Sequence, residues 1–182
     1  MQTDDAPLVA EHPEIPQELA LQGFDSVRAY SADPDRSRGF LEETLGFEAR
    51  GENEWECRGD FRGSFYAYDA PTAEPGIPGA GTVHHVAWSS TVEDHAAWRK
   101  SVADAAAHPT PIIDRFWFKS IYFREPSGVL FEIADDGPGF TVDVPLEELG
   151  SKVILPPKLE PYREQIEAQL TPLPDPRAAA QR

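Results

Sequence analysis

The stretch FKSIYFREPSGVLFEIA, residues 118–134, decides the fold. Two runs rich in β-branched and aromatic residues flank its central EPSG, residues 125–128. Such an arrangement predicts a β-hairpin, because proline suits the first corner of a turn and glycine suits a position that needs positive φ. We therefore predict strands at about 119–124 and 128–134, joined by a tight turn.

The residues before this hairpin extend it into a larger unit. The segment TVHHVAW, residues 82–88, is typical of a strand, and a turn near Glu93-Asp94 follows it. A helix is predicted next, and a further strand at 111–118 leads into the hairpin. The predicted buried stripe of that helix consists of Ala97, Trp98, Val102 and either Ala105 or Ala106.

The same order of elements occurs about 60 residues earlier. A strand-like run spans 23–30, Asp33 suits a helix N-cap, and Pro34 suits the first helical position. The predicted helix carries Phe40, Leu41 and Leu45 and ends at Gly46, and short strands follow at 54–58 and 63–69. We therefore predict an α+β fold of two βαβββ modules, at 21–80 and 81–150.

The two ends differ from these modules. Residues 1–20 are predicted to form an extended tail, and 151–182 a C-terminal helix with a frayed end. The helix is expected from about Glu160 to Leu170, packing on the domain through Tyr162, Ile166 and Leu170.

Composition excludes several classes of function. The 182 residues carry a formal net charge of −16, which argues against nucleic acid and anionic membranes as partners. The single cysteine, Cys57, rules out an intrachain disulfide and a cysteine-based zinc site. No apolar run is long enough to span a membrane, and the N-terminus lacks the features of a signal peptide, so we expect a cytoplasmic protein.

The pair His84-His85 is the first candidate for chemistry, because imidazole is the commonest metal ligand. Within a strand, successive side chains point to opposite faces, so only one of the two would face a given pocket. From spacing alone, one core histidine and one surface histidine is the commoner interpretation. His12, His95 and His108 are interpreted as structural or solvated.

Glu132 is the second candidate, because it lies in an otherwise apolar strand. Its face is shared by Leu130 and Ala134, and the other face carries Phe131 and Ile133. Because a solvent-facing side would be more polar, we do not expect Glu132 to point simply into solvent. A buried carboxylate is costly unless it is paired or bound to a metal. One histidine and one glutamate suit zinc, manganese or iron(II), and two histidines with one carboxylate leave open positions on non-haem iron.

Arg115 and Tyr122 form a third candidate pair. Near a metal, a guanidinium and a phenol hydroxyl could orient an oxygen-bearing substrate or stabilise a developing anion. Taken singly, each residue is more often a packing residue or half of a surface ion pair.

The motifs at 82–88 and 118–134 resemble the vicinal oxygen chelate superfamily, also called glyoxalase/bleomycin resistance protein/dioxygenase. More narrowly, they resemble the C-terminal half of hydroquinone-type ring-cleaving dioxygenases. The resemblance implies paired βαβββ modules and a divalent metal, most commonly iron(II), held by His85 and Glu132. It also implies that His84, Arg115 and Tyr122 bind a dihydroxylated ring and assist proton transfer.

The chain departs from that family in length. Family members of this type have four modules in about twice this length, and their third ligand is a histidine in the first strand of the first module. Here the analogous segment, 23–27, has Asp25 where a ligand histidine would be. The missing half could come from a separate chain or from a second copy, or the chain could be truncated with a vestigial site. We predict an oligomer such as a dimer, with Trp88 and Trp117 at the contact.

Two other functions remain open. A metal-free protein of the bleomycin-resistance type would bind a planar ligand in an apolar groove, for which Phe116, Trp117 and Phe118 are suitable. A glyoxalase- or epimerase-like metal enzyme would transfer a proton, with Asp25 as a ligand or base.

Overall fold

Two four-stranded sheets dominate the structure, a computed structural model that describes residues 9–11, 14–60, 62–74 and 76–172. Each sheet arises from one β-α-β-β-β unit, so the predicted α+β fold of two βαβββ modules is confirmed. No helix in these ranges is both long enough and apolar enough to cross a bilayer.

The first module consists of β1 (Ser26–Tyr30), α1 (Asp35–Gly39), β2 (Glu48–Gly51), β3 (Glu54–Arg58) and β4 (Gly63–Asp69). A π-helical turn at Phe40–Thr44 continues α1, and Gly46 follows with a φ of +70°, as expected of a glycine after a helix. The spatial order is β1-β4-β3-β2, with β1 parallel to β4 and the other pairs antiparallel.

The second module repeats this topology. It consists of β5 (Val86–Ser89), α2 (His95–Asp104), β6 (Ile113–Asp114), β7 (Lys119–Arg124) and β8 (Leu130–Ala134), in the order β5-β8-β7-β6. The predicted hairpin is β7-β8, and Gly128 takes a φ of +95° in its turn. The identical strand order confirms the internal duplication, while domain boundaries near residues 80 and 150 stay predictions.

One hydrophobic core is shared by both modules. The rings of Tyr66 and Phe131 lie 5.3 Å apart across the junction between the sheets. Trp88 packs against Phe47 at 4.9 Å and Tyr66 at 5.8 Å. Trp88, which we predicted at an oligomer contact, shares the face of Val86 and packs against this core.

The second sheet has its other face outside the shared core. Alternation along β8 sends Phe131 and Ile133 into the core and Glu132 to the opposite side. We call that opposite side the open face; it carries Ser120, Tyr122, Leu130, Glu132 and Ala134.

A buried carboxylate joins the two modules at the β7-β8 turn. Glu125 is 1% exposed and accepts hydrogen bonds from the hydroxyls of Ser37 and Tyr68, which belong to the first module. It also accepts from the backbone N–H groups of Ser127 and Val129, at 2.9 Å and 2.7 Å. Burial raises the pKa of Tyr68 to about 12, so its hydroxyl stays a donor at neutral pH. The inter-module contact thus fixes the turn that precedes Glu132.

The helix starts and the C-terminal region differ from prediction. The first helix begins at Asp35 without a side-chain cap, so Asp33 is not its N-cap. In α2, Val102 is buried and Trp98 half-buried, but the alanines of the predicted stripe are exposed.

The predicted C-terminal helix is mostly absent. A 3₁₀ turn at Pro157–Tyr162 contains Pro161, which lacks the N–H an α-helix needs, and the α-helix α3 covers only Arg163–Glu167. Tyr162 and Leu170 are about half exposed, so they do not form the predicted packed face. Residues 1–8, 12–13 and 173–182 lie outside the described ranges, and the rest of the predicted N-terminal tail includes a 3₁₀ turn at Gln17–Leu19.

His95 opens α2 and is 2% exposed, in line with a structural interpretation. Its Nδ1 lies 3.3 Å from Ser90 Oγ, and its Nε2 has no partner among the described residues. Burial lowers the pKa of His95, the nearby Asp135 carboxylate raises it, and the Lys119 charge lowers it, with burial dominant. Folding therefore favours the neutral imidazole.

This burial predicts a loss of stability on mild acidification. Because the folded pKa of His95 lies below the unfolded value, the stabilisation is complete above about pH 6.5 and is lost as the pH falls through the folded pKa. The slope cannot exceed about 1.4 kcal/mol per pH unit for one proton. In urea unfolding experiments between about pH 7.5 and about 5.5, the free energy of unfolding of wild type should fall as the pH falls. The free energy of unfolding of His95→Gln should fall less steeply over the same range. His108→Asn, at an exposed left-handed position, is the matched control and should keep the wild-type slope.

Candidate metal centre

His85 and Glu132 meet at the edge of the open face. His85 Nε2 lies 2.7 Å from Glu132 Oε2, and the His85 side chain is 32% exposed while that of Glu132 is 4% exposed. Glu132 belongs to β8, flanked by Ala87 of β5 and Tyr122 of β7 as its cross-strand neighbours. The central strand thus buries the carboxylate, and the loop before β5 brings the imidazole to it from the solvent side.

The carboxylate of Glu132 is incompletely satisfied by this contact. Its Oε1 atom is buried and has no hydrogen-bond partner among the described residues. A buried carboxylate oxygen without a donor costs free energy, and metal coordination is one of the arrangements that offset this cost. An imidazole nitrogen and carboxylate oxygens form a donor set that suits iron(II), manganese and zinc. The two residues therefore fit part of a divalent metal site.

His84 lies beside His85 rather than on the opposite face. The two Nδ1 atoms are 2.9 Å apart and the rings meet edge to face at 5.2 Å. Strand alternation does not apply to them, because β5 begins only at Val86. The expectation that the pair splits between core and surface is therefore wrong.

Tyr122 and Arg115 complete the cluster. The Tyr122 ring meets the His85 ring edge to face at 5.6 Å, and the Arg115 guanidinium lies 5.3 Å from the centre of the Tyr122 ring. All five candidate residues from the sequence therefore form one continuous series of contacts: His84, His85, Glu132, Tyr122 and Arg115. Their roles in binding and catalysis stay predictions.

The first module has no equivalent metal site. Val27 pairs with Tyr66 as Val86 pairs with Phe131, so Ser26 occupies the place of His85 and Ala67 that of Glu132. Asp25 therefore corresponds to His84 rather than to the ligand position, and it is exposed. Within the described ranges, no group of three or more His, Cys, Asp or Glu residues could hold a metal.

The aromatic segment that follows Asp114 lies apart from this cluster. Phe116 and Phe118 line a cavity of about 320 Å³ together with Val92, Asp114, Lys119, Gly137 and Pro138. Trp117 stacks on Phe140 at 6.1 Å, and its indole N–H donates to Asp143. None of the five candidate site residues lines this cavity.

Two polar residues near the site were missed by the sequence reasoning. Ser120 is fully buried on the open face, and Glu125 anchors the hairpin turn. The signal for Ser120 was present, since a serine precedes the alternating Ile121-Tyr122-Phe123 run. The burial of Glu125 depends on Ser37 and Tyr68, which are distant in sequence, so no local pattern marks it.

Comparison with known proteins places these features in a family. The family model "Glyoxalase/Bleomycin resistance protein/Dioxygenase superfamily" matches residues 23–133, more than half of the chain. MhqO of Bacillus subtilis (strain 168), provisionally named a ring-cleaving dioxygenase, is 38% identical over 164 residues, which cover 87% of this chain and 52% of MhqO. The chlorohydroquinone/hydroquinone 1,2-dioxygenase of Sphingobium indicum is 32% identical over 166 residues, 86% of this chain and 51% of that protein.

A solved structure agrees with these matches. The crystal structure of a protein from Bacillus subtilis subsp. subtilis strain 168, provisionally named a dioxygenase, superposes with a TM-score of 0.82 at 34% identity. The superposition covers 95% of this chain and 57% of that chain. This chain thus spans about half the length of the curated relatives it matches. On the match over residues 23–133, the chain belongs to the glyoxalase/bleomycin resistance protein/dioxygenase superfamily.

Proposed function

We propose that this chain carries two of the three metal ligands of a ring-cleaving dioxygenase that acts on a dihydroxylated aromatic ring of hydroquinone or catechol type. The carrying observation is the 2.7 Å contact between His85 Nε2 and the buried Glu132 carboxylate. Similarity to MhqO and to the Sphingobium indicum hydroquinone dioxygenase supports the ring-cleaving chemistry. Iron(II) is the metal best suited to it, and manganese and zinc are alternatives that the ligand types allow.

A bound iron(II) ion would supply positions for the substrate oxygens and for dioxygen. The side chains of this chain would position the substrate and transfer protons. His85 and Glu132 would hold the ion, and the Nδ1–H of His85 would donate to His84 Nδ1, 2.9 Å away. His84 would then keep an Nε2–H that can donate to a substrate oxygen, and proton transfer would fall to the Tyr122 hydroxyl. Arg115 brings a permanent positive charge to the Tyr122 ring, and together they would orient the ionised ring oxygen.

The third ligand would come from outside this chain. The partner would be a second copy, forming a homo-oligomer such as a dimer, or a separate chain equivalent to the remaining half of the relatives. It would cover the open face, where His85 remains partly exposed. Sedimentation at micromolar concentration tests the first arrangement: a self-associating boundary supports it, and a sharply monomeric boundary contradicts it.

A non-catalytic small-molecule-binding protein of the bleomycin-resistance type is the second candidate. The cavity lined by Phe116 and Phe118 favours it, because a cavity of about 320 Å³ with two aromatic rings in its wall is large enough for a small planar ligand. Metal analysis of the purified protein separates the two candidates. A glyoxalase- or epimerase-like reaction loses its main support, since Asp25 is exposed and does not correspond to a ligand position.

We also propose a cytoplasmic location, where a reducing environment would keep iron ferrous. The single cysteine supports this, because disulfide-stabilised folds belong mainly to oxidising compartments. Burial raises the pKa of the Cys57 thiol to about 11, so it is a poor nucleophile there.

Oxygen consumption tests the proposed reaction. The chain is loaded with iron(II) without air, mixed with substituted hydroquinones, and exposed to oxygen in an electrode cell. We expect uptake by wild type and by the control His108→Asn, and background uptake by His85→Ala, because the variant lacks one of the two ligands. Absence of uptake by wild type, with equal iron content in wild type and His85→Ala, would contradict the proposal.

A further inference from the structure

Two complementary buried atoms on the open face lack partners. Ser120 Oγ and Glu132 Oε1 are both buried and have no hydrogen-bond partner among the described residues. Ser120 itself is 0% exposed and Glu132 is 3% exposed. One atom is a hydrogen-bond donor and the other an acceptor, and leaving both unpaired carries the desolvation cost of each.

The strand register makes these two residues neighbours. Tyr122 pairs with Glu132 and Ser120 pairs with Ala134 across the antiparallel β7-β8 ladder. Ser120 and Glu132 are therefore diagonal cross-strand neighbours on one face, a separation that a long side chain can bridge.

The remaining unpaired buried atoms of the described chain lie elsewhere. Tyr66 and Trp88 belong to the shared core, and His95 belongs to α2. Asp135 directly follows β8 and, by strand alternation, lies on the same side as Phe131 and opposite to Glu132. Ser120 is thus the unpaired donor on the same face as the Glu132 carboxylate.

We propose that Ser120 is a positioning residue that donates its hydroxyl hydrogen to Glu132 Oε1 when Oε2 binds a divalent metal. The proposal rests on the proposed function, because it needs Glu132 as a ligand. Hydrogen bonds to a ligating carboxylate fix its orientation and raise metal affinity, and their loss typically weakens binding. Tyr122 is less suited to this task, since its hydroxyl is not among the buried atoms that lack a partner.

Cobalt(II) titration of the full chain tests this role, with affinity taken from calorimetry and the visible cobalt bands. We expect Ser120→Ala to bind cobalt(II) roughly tenfold more weakly and Ser120→Thr, which keeps a hydroxyl, to bind nearly as wild type. The metal-free Ser120→Ala protein should be no less stable than wild type, because it loses an unpaired buried hydroxyl. Ser37→Ala removes another buried hydroxyl, one that donates to Glu125, and should lose stability but keep its affinity for cobalt(II).

The outcomes separate the two proposals. Equal cobalt(II) affinity of Ser120→Ala and wild type, with Glu132→Gln weaker than both, would overturn the role of Ser120 and leave the metal site intact. Lower metal-free stability of Ser120→Ala with unchanged affinity would also overturn it, in favour of a structural role. Equal affinity of Glu132→Gln and wild type would overturn the metal site and, with it, the role of Ser120.

Discussion

Replacing Glu125 with leucine is expected to lower the free energy of unfolding by about 4 kcal/mol. The carboxylate accepts from two hydroxyls, Ser37 and Tyr68, and from the backbone N–H groups of Ser127 and Val129. Leucine has a similar size but leaves these donors buried without an acceptor, and each buried unsatisfied donor costs roughly 1–3 kcal/mol. Partial rearrangement of the turn limits the total.

Urea unfolding followed by circular dichroism measures this effect, with the slope against urea checked for constancy. Glu125→Gln is the matched variant, because it keeps one carbonyl oxygen as acceptor, and it should lose less than half as much stability as the leucine variant. A leucine variant within about 1 kcal/mol of wild type would show that the inter-module hydrogen bonds contribute little.

Glu132→Gln is expected to weaken divalent metal binding roughly 100-fold. Structural zinc sites bind with about 10–16 kcal/mol shared among their ligands, so losing one charged ligand removes on the order of 3 kcal/mol, and 1.4 kcal/mol is a factor of ten. The stability of the metal-free protein should change little, because one oxygen of the native carboxylate already lacks a partner.

Calorimetric titration with manganese(II) or cobalt(II) provides the measurement. Glu56→Gln is the matched control, since Glu56 is also a buried strand carboxylate but is paired with Arg50 and Arg58 in the first sheet. Those guanidinium groups hold the pKa of Glu56 below its usual range, so its charge is already compensated. Loss of affinity in Glu56→Gln equal to that in Glu132→Gln would indicate a general effect of charge and contradict a specific site.

Much of the fold could be predicted from local patterns. The turn with Gly128 and the apolar runs around it define β7 and β8, and the helix stop at Gly46 follows from the preference of glycine for positive φ. Strand β2 (Glu48–Gly51) escaped prediction because all four residues are exposed and carry no alternating apolar signal. The predicted start of β5 was too early, because the composition of residues 82–85 is compatible with a strand although the strand begins at Val86.

The candidate site was predictable where a residue conflicts with its surroundings. Glu132 lies in a strand that has apolar residues on both faces, and this pattern indicates a carboxylate that is paired or bound to a metal. Contact between His84 and His85 was not predictable, because it depends on the loop conformation before β5. The burial of Glu125 requires the packing of two modules, which no short sequence window contains.

The central claim is that His85 and Glu132 hold one divalent metal ion. Crystals grown with manganese(II), with X-ray data collected near the manganese absorption edge, test it most directly. The account predicts an anomalous peak in contact with both His85 Nε2 and Glu132 Oε2, the two atoms that lie 2.7 Å apart in the structure. A manganese-saturated crystal without an anomalous peak at these two atoms would contradict it.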